Sequence, residues 1–489
     1  MGSWSVSPAG SLMQPATPFS PVAADVRLAR VSKPWRKVAR IVFLVVLAYF
    51  VTQTLGGAPG MVLMGDYITM LVCGIIAVPA ALCMLFMMRP KLVHLERAIP
   101  DPSGGTTHPL GWRGTLVTPV PTQFSRHLIV DDEDLDMPRS LHAWLVFIAC
   151  CIAALGISFV LFLATLGGEE VMALMTLLML PLLIPLILVA FSIPVIGWWA
   201  HSTPRIGIET SQRKAEIWLM AGVLSGIPAL WVNDGLASLV NAPEWLIVSA
   251  FAPIGEELFK AGAVWLCARW ILSPRHGFQV GFTVGLGFAI VENLQYIVMA
   301  SLGAAVGDPL SFALTTLVRG IGSIPGHALW TAMSGVAIGW HLHRDRATRA
   351  ESAATMGLPS MSLAVEAPPK EADFVRIDGR TGQLMPEFGA DQAAAEQFAA
   401  IEAQGGWHLP LPTNVWVGIT LAIFGHAFWN GSSTLLYAMA DALNLNIWAV
   451  LILDLTWITV LVTAVLIIAA GALRGVRKQP LPLKSQTTA

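Results

Sequence analysis

The sequence predicts an all-α polytopic membrane protein with about ten transmembrane helices and both termini in the cytoplasm. Hydrophobic residues make up 55% of the 489-residue chain and charged residues only 12%. Mean hydropathy is +0.66, which lies outside the usual range of soluble globular domains. Lysines and arginines are distributed in the alternating pattern that sets membrane orientation. These three observations exclude a soluble globular protein.

Apolar runs long enough to cross the bilayer justify each predicted helix. A hydrocarbon core of about 30 Å needs about 20 helical residues, and runs of that length occur at ten places. The ten predicted spans are Val38 to Leu55, Ile68 to Met88, Leu141 to Leu166, Val171 to Trp199, Ile217 to Val240, Trp245 to Leu272, Val280 to Leu302, Phe312 to Leu342, Val415 to Ala438 and Ile447 to Leu473.

Positive charges give the orientation of these spans. Apart from Lys260 and Arg319, the lysines and arginines lie in or next to the N-terminal segment, the even-numbered loops and the tail, with Arg40 and Arg269 just inside the ends of the first and sixth spans. Because cytoplasmic loops carry the excess of basic residues, this pattern places both termini inside. Met1 to Pro34 has no apolar core, so we expect the first span to act as an uncleaved anchor.

The span assignment divides the chain into six parts. We predict a disordered cytoplasmic N-terminus (1–34), five leading helices with a cytoplasmic loop at 89–140 (35–240), helices six to eight of a catalytic type (241–343), a cytoplasmic insertion (344–412), helices nine and ten (413–473) and a cytoplasmic tail (474–489). We expect the loop and the insertion to be solvated or partly disordered. The five cysteines lie in apolar segments, which favours small core residues over disulfides.

Ionisable side chains interrupt four successive spans near their midpoints. They are Glu256, Glu257, Glu292, His327 and His426. A charge at the bilayer centre costs about 2.5 to 3.5 kcal/mol on insertion scales, so residues of this kind usually serve a function. Counted from the span ends at about 1.5 Å per residue, all four spans bring these groups to the same depth. The sequence therefore predicts a polar site within the membrane.

Helical geometry predicts how part of this site is arranged. At about 100° per residue, Lys260 lies about 40° from Glu256 and about 60° from Glu257, so one ammonium can serve both carboxylates. Glu292 follows Phe288 on one stripe and faces a neighbouring helix. Two histidines and two or three carboxylates in a hydrated pocket can activate water, polarise a carbonyl and stabilise an oxyanion, or hold a divalent metal.

At these residues the chain resembles the PrsW family of intramembrane proteases, within the superfamily that includes the type II CAAX prenyl endopeptidases. The matching motifs are Glu256-Glu257-Leu-Phe-Lys260, Phe288-Ala-Ile-Val-Glu292-Asn293, His327 with its small-residue run to Gly335, and His426-Ala-Phe-Trp-Asn430. Glu292 stands where the prenyl endopeptidases have a histidine, which favours the PrsW branch.

The resemblance implies an intramembrane endopeptidase that hydrolyses a peptide bond of a membrane-embedded substrate. It implies that Glu256 activates water with help from His327, that His426 and Asn430 stabilise the oxyanion or orient water, and that Glu257 tunes the base. Lys260, Phe288, Glu292 and Asn293 are expected to support them.

The resemblance also bears on cofactor, partners and location. Zinc would be held by Glu292, His327 and His426, but the prenyl endopeptidases are argued to use glutamate and histidine alone, so both mechanisms stay open. The expected partners are the lipid bilayer and a membrane protein substrate such as an anti-sigma-factor-like single-span protein, and we expect no nucleic acid. The expected location is the bacterial plasma membrane.

Two alternatives from other functional classes stay open. One is a proton-coupled transporter in which Glu256, Glu257, Glu292 and Asp454 form a relay. A pairing of Asp454 with Arg319 would fit this reading, although it could equally be a structural salt bridge. The other alternative is a catalytically inactive membrane scaffold, which the presence of both glutamates and both histidines disfavours.

Overall fold

The structure is a computed structural model that describes residues 5–6, 12–13, 32–110, 114–131, 133–208, 210–240, 242–305, 311–355 and 407–480. The chain divides into two compact units. The first comprises residues 1–31, 89–133 and 368–374, and the second comprises the rest. Most of the predicted N-terminal segment, residues 356–406 of the predicted insertion and the end of the tail lie outside the described residues.

The first unit contains a long antiparallel hairpin of two strands, β3 (Leu92–Pro109) and β4 (Thr115–Val130). Their register runs from Leu92 opposite Val130 to Pro109 opposite Thr115, with shifts around Gly105. The same unit contains two paired short strands, β1 (Ser5–Val6) and β2 (Leu12–Met13). Much of the predicted loop at 89–140 thus has regular strand structure, while its cytoplasmic position stays a prediction. Backbone pairing supplies the hydrogen bonds that this polar sequence would otherwise make with water.

The second unit is helical. Its α-helices are α1 (Pro34–Leu63), α2 (Tyr67–Met88), α3 (Ser140–Thr165), α4 (Glu169–Ile206), α5 (Gln212–Val240), α6 (Glu244–Leu246), α7 (Ala252–Leu266), α8 (Pro274–Ala305), α9 (Ser311–Val318), α10 (Ile324–Thr355), α11 (Val415–Ala442) and α12 (Ile447–Arg477). One large hydrophobic cluster joins side chains of α1 to α5, α8 to α10 and α12.

Seven of the described helices are long and apolar enough to cross a membrane. They are Pro34–Val62, Tyr67–Met88, Ser140–Thr165, Glu169–Ile206, Gln212–Asn233, Pro274–Gly303 and Trp448–Arg477. The predicted all-α polytopic membrane fold is confirmed. Helices also lie at the other three predicted spans, namely α7, α9 with α10, and α11. The total of ten spans and the cytoplasmic position of both termini stay predictions.

Two π-helical segments interrupt predicted spans just before site residues. Ile247–Phe251 joins α6 to α7, and Arg319–Ser323 joins α9 to α10. Glycine and proline near both places are expected to disturb helical geometry, and π-helical turns often occur at functional sites. Because α7 and α10 begin where these segments end, Glu256 and His327 lie in the first turns of their helices.

Helices α8 and α10 pack at backbone contact distance because glycines line α8. A Cβ added at Gly277, Gly281 or Gly285 would lie 2.3, 2.5 or 2.3 Å from carbonyl oxygens of α10. For Gly285 that oxygen belongs to His327. Small residues permit such close helix approach in membranes. The glycine face of α8 thus sets the position of the histidine on α10.

Candidate active site

The two adjacent glutamates of α7 have different environments. Glu257 is fully buried, and its Oε1 lies 2.5 Å from Lys260 Nζ. Glu256 keeps 12% of its side chain exposed, and its Oε2 lies 3.9 Å from the same ammonium. Lys260 therefore lies beside both carboxylates, as the helical geometry predicted. Glu257 is neutralised by a direct ion pair, whereas Glu256 is left for other contacts.

His327 lies between a cation and a carboxylate. Its Nδ1 is 3.1 Å from Lys260 Nζ, and its Nε2 is 2.5 Å from Glu292 Oε2. The ammonium has only protons to give, so Nδ1 must accept and Nε2 must carry the hydrogen that Glu292 receives. Both ring nitrogens of His327 are thus engaged, and the imidazole is held in one tautomer.

His426 has one engaged and one free nitrogen. Its Nδ1 lies 3.0 Å from Glu257 Oε1, while its Nε2 lies 3.8 Å from Glu256 Oε2. Because the carboxylate can only accept, Nδ1 carries the hydrogen, and in the neutral imidazole Nε2 presents a lone pair. The ring stacks on Trp330 with centroids 4.7 Å apart and meets His327 edge-on at 4.8 Å. These contacts hold the free lone pair beside Glu256.

Glu256 has two oxygens with different surroundings. Oε1 accepts a hydrogen bond of 3.4 Å from Asn233 Nδ2, on α5. Oε2 is buried and has no hydrogen-bond partner among the described residues. A buried acceptor without a donor costs about 1 to 3 kcal/mol. Oε2 and His426 Nε2 together form a pair of acceptors 3.8 Å apart, a separation that one water could bridge by donating both of its hydrogens.

Glu292 connects the site to a second cation. Its Oε1 lies 3.3 Å from Arg319 Nη1, and the guanidinium sits 3.5 Å above the ring of Tyr296. Arg319 also donates to Ser323 Oγ at 3.2 Å. Among the described residues Arg319 pairs with Glu292 and Ser323, and the suggested pairing with Asp454 is not seen.

The remaining predicted site residues occupy supporting positions. Phe288 places its ring 4.1 Å from Lys260 Nζ and 5.6 Å from His327. Asn430 donates to the carbonyl oxygen of Val248 at 3.3 Å, so its amide supports the first π-helical segment. The described hydrogen bonds do not join Asn430 to Glu256 or to either histidine. Asn293 is fully buried, and its amide atoms have no partner among the described residues.

A metal ion could be held by three of these residues. Glu256, His327 and His426 each offer a donor atom, and the three atoms lie within 4.8 Å of one another. One carboxylate and two imidazoles are the protein ligands of many catalytic zinc sites. The predicted ligand set contained Glu292, whereas in the structure Glu292 binds His327 and Arg319. Glu256 stands in its place in the described group.

Two of the three donor residues could bind zinc as they stand, whereas the third, His327, would first have to give up a partner. Glu256 Oε2 and His426 Nε2 are free of hydrogen bonds among the described residues. His327 would have to exchange Lys260 or Glu292 for the metal, because each of its nitrogens already has a partner. The carboxylate oxygen without a donor is the observation that favours a bound cation or water here.

Sequence reasoning missed two residues of this site. Asn233 lies near the end of the fifth predicted span, and the polar pair Asn233-Asp234 there is a signal that could have revealed it. Trp330 follows His327 by three residues on α10. An aromatic residue at that spacing is common in helix cores, so the sequence offers no comparable signal for its stacking on His426.

Comparison with known proteins identifies a family for part of the chain. Residues 214–364 match the model of the PrsW family intramembrane metalloprotease. The predicted resemblance to the PrsW family is thereby confirmed. The PrsW segment includes Asn233, both glutamates of α7, Glu292 and His327, while His426 and Asn430 follow it. No curated protein and no solved structure matches the chain. The PrsW match supports an integral membrane protein of an intramembrane protease family.

Proposed function

We propose that this protein is an intramembrane endopeptidase in which Glu256 activates the water that hydrolyses a peptide bond of a membrane-embedded protein substrate. The observation that carries the proposal is the pair of free acceptors, Glu256 Oε2 and His426 Nε2, 3.8 Å apart in a largely buried site. A water can donate one hydrogen to each of these two acceptors. Its lone pairs then point away from Glu256 and His426, toward the carbonyl carbon of an incoming substrate.

The proton path follows from the same contacts. As water attacks the carbonyl carbon, Glu256 takes one of its protons, the C–N bond then breaks, and Glu256 passes that proton to the leaving nitrogen. His426 orients the water through Nε2, because Glu257 holds its Nδ1–H at 3.0 Å. His327 is locked between Lys260 and Glu292, so it supports the arrangement through its ring contact with His426 rather than as a second base.

Zinc would be held by Glu256, His327 and His426 if the metal-dependent mechanism applies. A bound zinc ion supplies a water of lowered pKa and polarises the carbonyl. The roles of the two glutamates would then differ from those above. Glu256 would be a zinc ligand, and Glu257, already hydrogen-bonded to His426, would orient that histidine as a second ligand. The proposed partner is a single-span membrane protein of the anti-sigma-factor type, in the plasma membrane of a bacterium.

Replacement of the proposed base tests the function. We expect Glu256→Gln to lower cleavage by about 10²- to 10⁴-fold, because general-base catalysis contributes that much. Uncut single-span proteins should accumulate in cells that carry the variant, as measured by quantitative proteomics of membranes. The matched control is Glu169→Gln, in another Glu-Glu pair that is exposed at the start of α4. Equal processing by the Glu256→Gln variant would remove Glu256 from the mechanism.

The role of metal is decided on purified wild-type protein with a trapped substrate. About one zinc per chain, with cleavage lost on chelation and restored by zinc, would support the metal-dependent mechanism. Unchanged cleavage of the metal-stripped protein would support glutamate and histidine alone.

A further inference from the structure

An apolar cavity lies beside the proposed base, between α5 and α7. Its volume is about 330 Å³, at the small end of the range for ligand pockets. It is lined by Val232, Phe251, Ile254, Gly255, Leu258 and Phe259. A space of this size and composition suits one large apolar side chain rather than a whole helix.

Two chain neighbours connect the cavity to the site. Gly255 lines it and directly precedes Glu256, and Val232 lines it and directly precedes Asn233. A Cβ placed on Gly255 would lie 3.5 Å from Val232 Cγ1 and 3.6 Å from Asn233 Oδ1. The amide oxygen of Asn233 therefore sits at the crossing of α5 over α7, next to the cavity wall.

Asn233 has an unused hydrogen-bonding atom at this position. Its Nδ2 donates to Glu256 Oε1, while its Oδ1 is buried and has no partner among the described residues. In the hydrocarbon of a membrane a peptide N–H outside a helix has no water to bond, so leaving it unsatisfied is costly. A substrate segment opened for hydrolysis brings such donors with it. Asn233 Oδ1 offers one of them an acceptor.

We propose that the cavity is a specificity subsite for a large apolar side chain next to the scissile bond, and that Asn233 Oδ1 accepts a hydrogen bond from the substrate backbone there. The inference rests on the proposed proteolytic function and names which feature of a substrate the site selects. Asn233 is then a substrate-binding residue that also positions Glu256 through Nδ2. Leucine, phenylalanine and methionine are the side chains that would fill the cavity.

Photo-crosslinking tests occupancy without requiring cleavage. A small aliphatic diazirine residue, close to isoleucine in size, placed at Ile254 in the Glu256→Gln background should crosslink a co-expressed single-span substrate at residues that flank its scissile bond. The matched control is the same probe at Leu266, which is 82% exposed at the far end of α7. A substrate adduct at Leu266 but not at Ile254 would overturn the subsite, even if wild-type protein cleaves. If the probe at Ile254 crosslinks the substrate but the wild-type protein does not cleave it, only the proteolytic function would be contradicted.

Side-chain preference provides the second test. We expect Ile254→Trp to fill the cavity and lower kcat/KM at least tenfold for a substrate with leucine at the selected position, and to lower it much less for the same substrate with alanine there. Asn233→Ala should raise KM about tenfold. Equal loss for leucine and alanine substrates would refute the specificity subsite. A fall in kcat for Asn233→Ala with KM unchanged would refute the substrate contact, since it would leave only the bond to Glu256.

Discussion

Lys260 is the side chain on which the charges of the site depend. Its fully buried ammonium contacts Glu257, Glu256 and His327 and lies over the ring of Phe288. An uncompensated charge at this depth would be costly. One ammonium shared by two carboxylates and an imidazole lowers that cost. The same ammonium also determines that Nδ1 of His327 is the ring nitrogen that accepts a hydrogen bond.

Removal of this ammonium should therefore destabilise the protein strongly. We expect Lys260→Met to lower the free energy of unfolding by about 3 to 5 kcal/mol, because it leaves Glu257 buried without its cation. Thermal unfolding in detergent micelles measures the effect. Lys91→Met, at an exposed lysine, is the control and should change stability by less than about 0.5 kcal/mol.

A double variant distinguishes the ion pair from general damage. Lys260→Met combined with Glu257→Leu removes both charges, so its loss of stability should be smaller than the sum of the two single losses. Strict additivity of the three measurements would contradict the role assigned to the pair.

Much of the site at the scale of residues could be predicted from sequence. Helical angles alone place Lys260 beside both glutamates, and equal depth places the histidines near them. The choice of nitrogen at each histidine could not be predicted, because it depends on side-chain contacts between different helices. The same reason hides Asn233, whose bond to Glu256 crosses from α5 to α7.

At the scale of elements, the glycine face of α8 is the feature that positions His327. We expect Gly285→Ala to destabilise the protein by about 1 to 3 kcal/mol, since the new Cβ would lie 2.3 Å from the carbonyl oxygen of His327. Separation of α8 from α10 should also disturb the bond from His327 to Glu292, so cleavage of a trapped substrate should fall. Unfolding and activity assays measure the two effects.

Gly262 on α7 is the matched control for this substitution. A Cβ there would meet nothing within 4 Å, so Gly262→Ala should stabilise the helix by about 0.5 to 1 kcal/mol. If Gly285→Ala were as harmless as Gly262→Ala, the close approach of the two helices would not govern the site.

Element types were predictable where hydropathy is strong and less so elsewhere. Long apolar runs gave helices at each of the ten predicted positions. The hairpin of β3 and β4 escaped prediction because its sequence mixes polar, proline and glycine residues without a steady alternation. The two π-helical segments escaped as well, since glycine and proline nearby indicate a disturbed helix but not an extra residue in its turn.

At the scale of the whole molecule, the number of spans decides where the termini lie. Ten spans place both termini on one side, whereas seven spans, the number of described helices that are long and apolar enough to cross, would place them on opposite sides. The three helices in question carry Glu256, His327 and His426. If these three helices cross the membrane, there are ten spans and the site lies within the bilayer. The position of the termini therefore reports on the position of the site.

Cysteine labelling tests this topology. In a variant whose five natural cysteines are replaced, we expect a membrane-impermeant maleimide added to intact cells to label Glu169→Cys but not Ser103→Cys or Lys478→Cys. Permeabilised cells, in which all three should react, are the control. Labelling of Lys478→Cys in intact cells would contradict the cytoplasmic tail and favour an odd number of spans.

The class of the whole molecule was the easiest property to predict, because composition alone separates membrane from soluble chains. Residues 356–406 lie outside the described residues, so the structure describes the predicted insertion only at its two ends, where α10 continues to Thr355 and residues 407–412 lead toward α11. The substrate is the hardest to predict, because recognition depends on how α5 and α7 meet.

The π-helical turns make chain length at two places as important as residue identity. Each contains a residue more than an α-helical turn would, and one residue corresponds to about 100° of rotation. Deleting a single residue from Ile247–Phe251 would rewind that turn and rotate α6 against the face that bears Glu256. If a homologue lacked the extra residue and were aligned without a gap at this turn, the residues on one side of the turn would be matched one position out of register. Insertions and deletions in these turns should therefore be rarer among active relatives than substitutions of the apolar side chains around them.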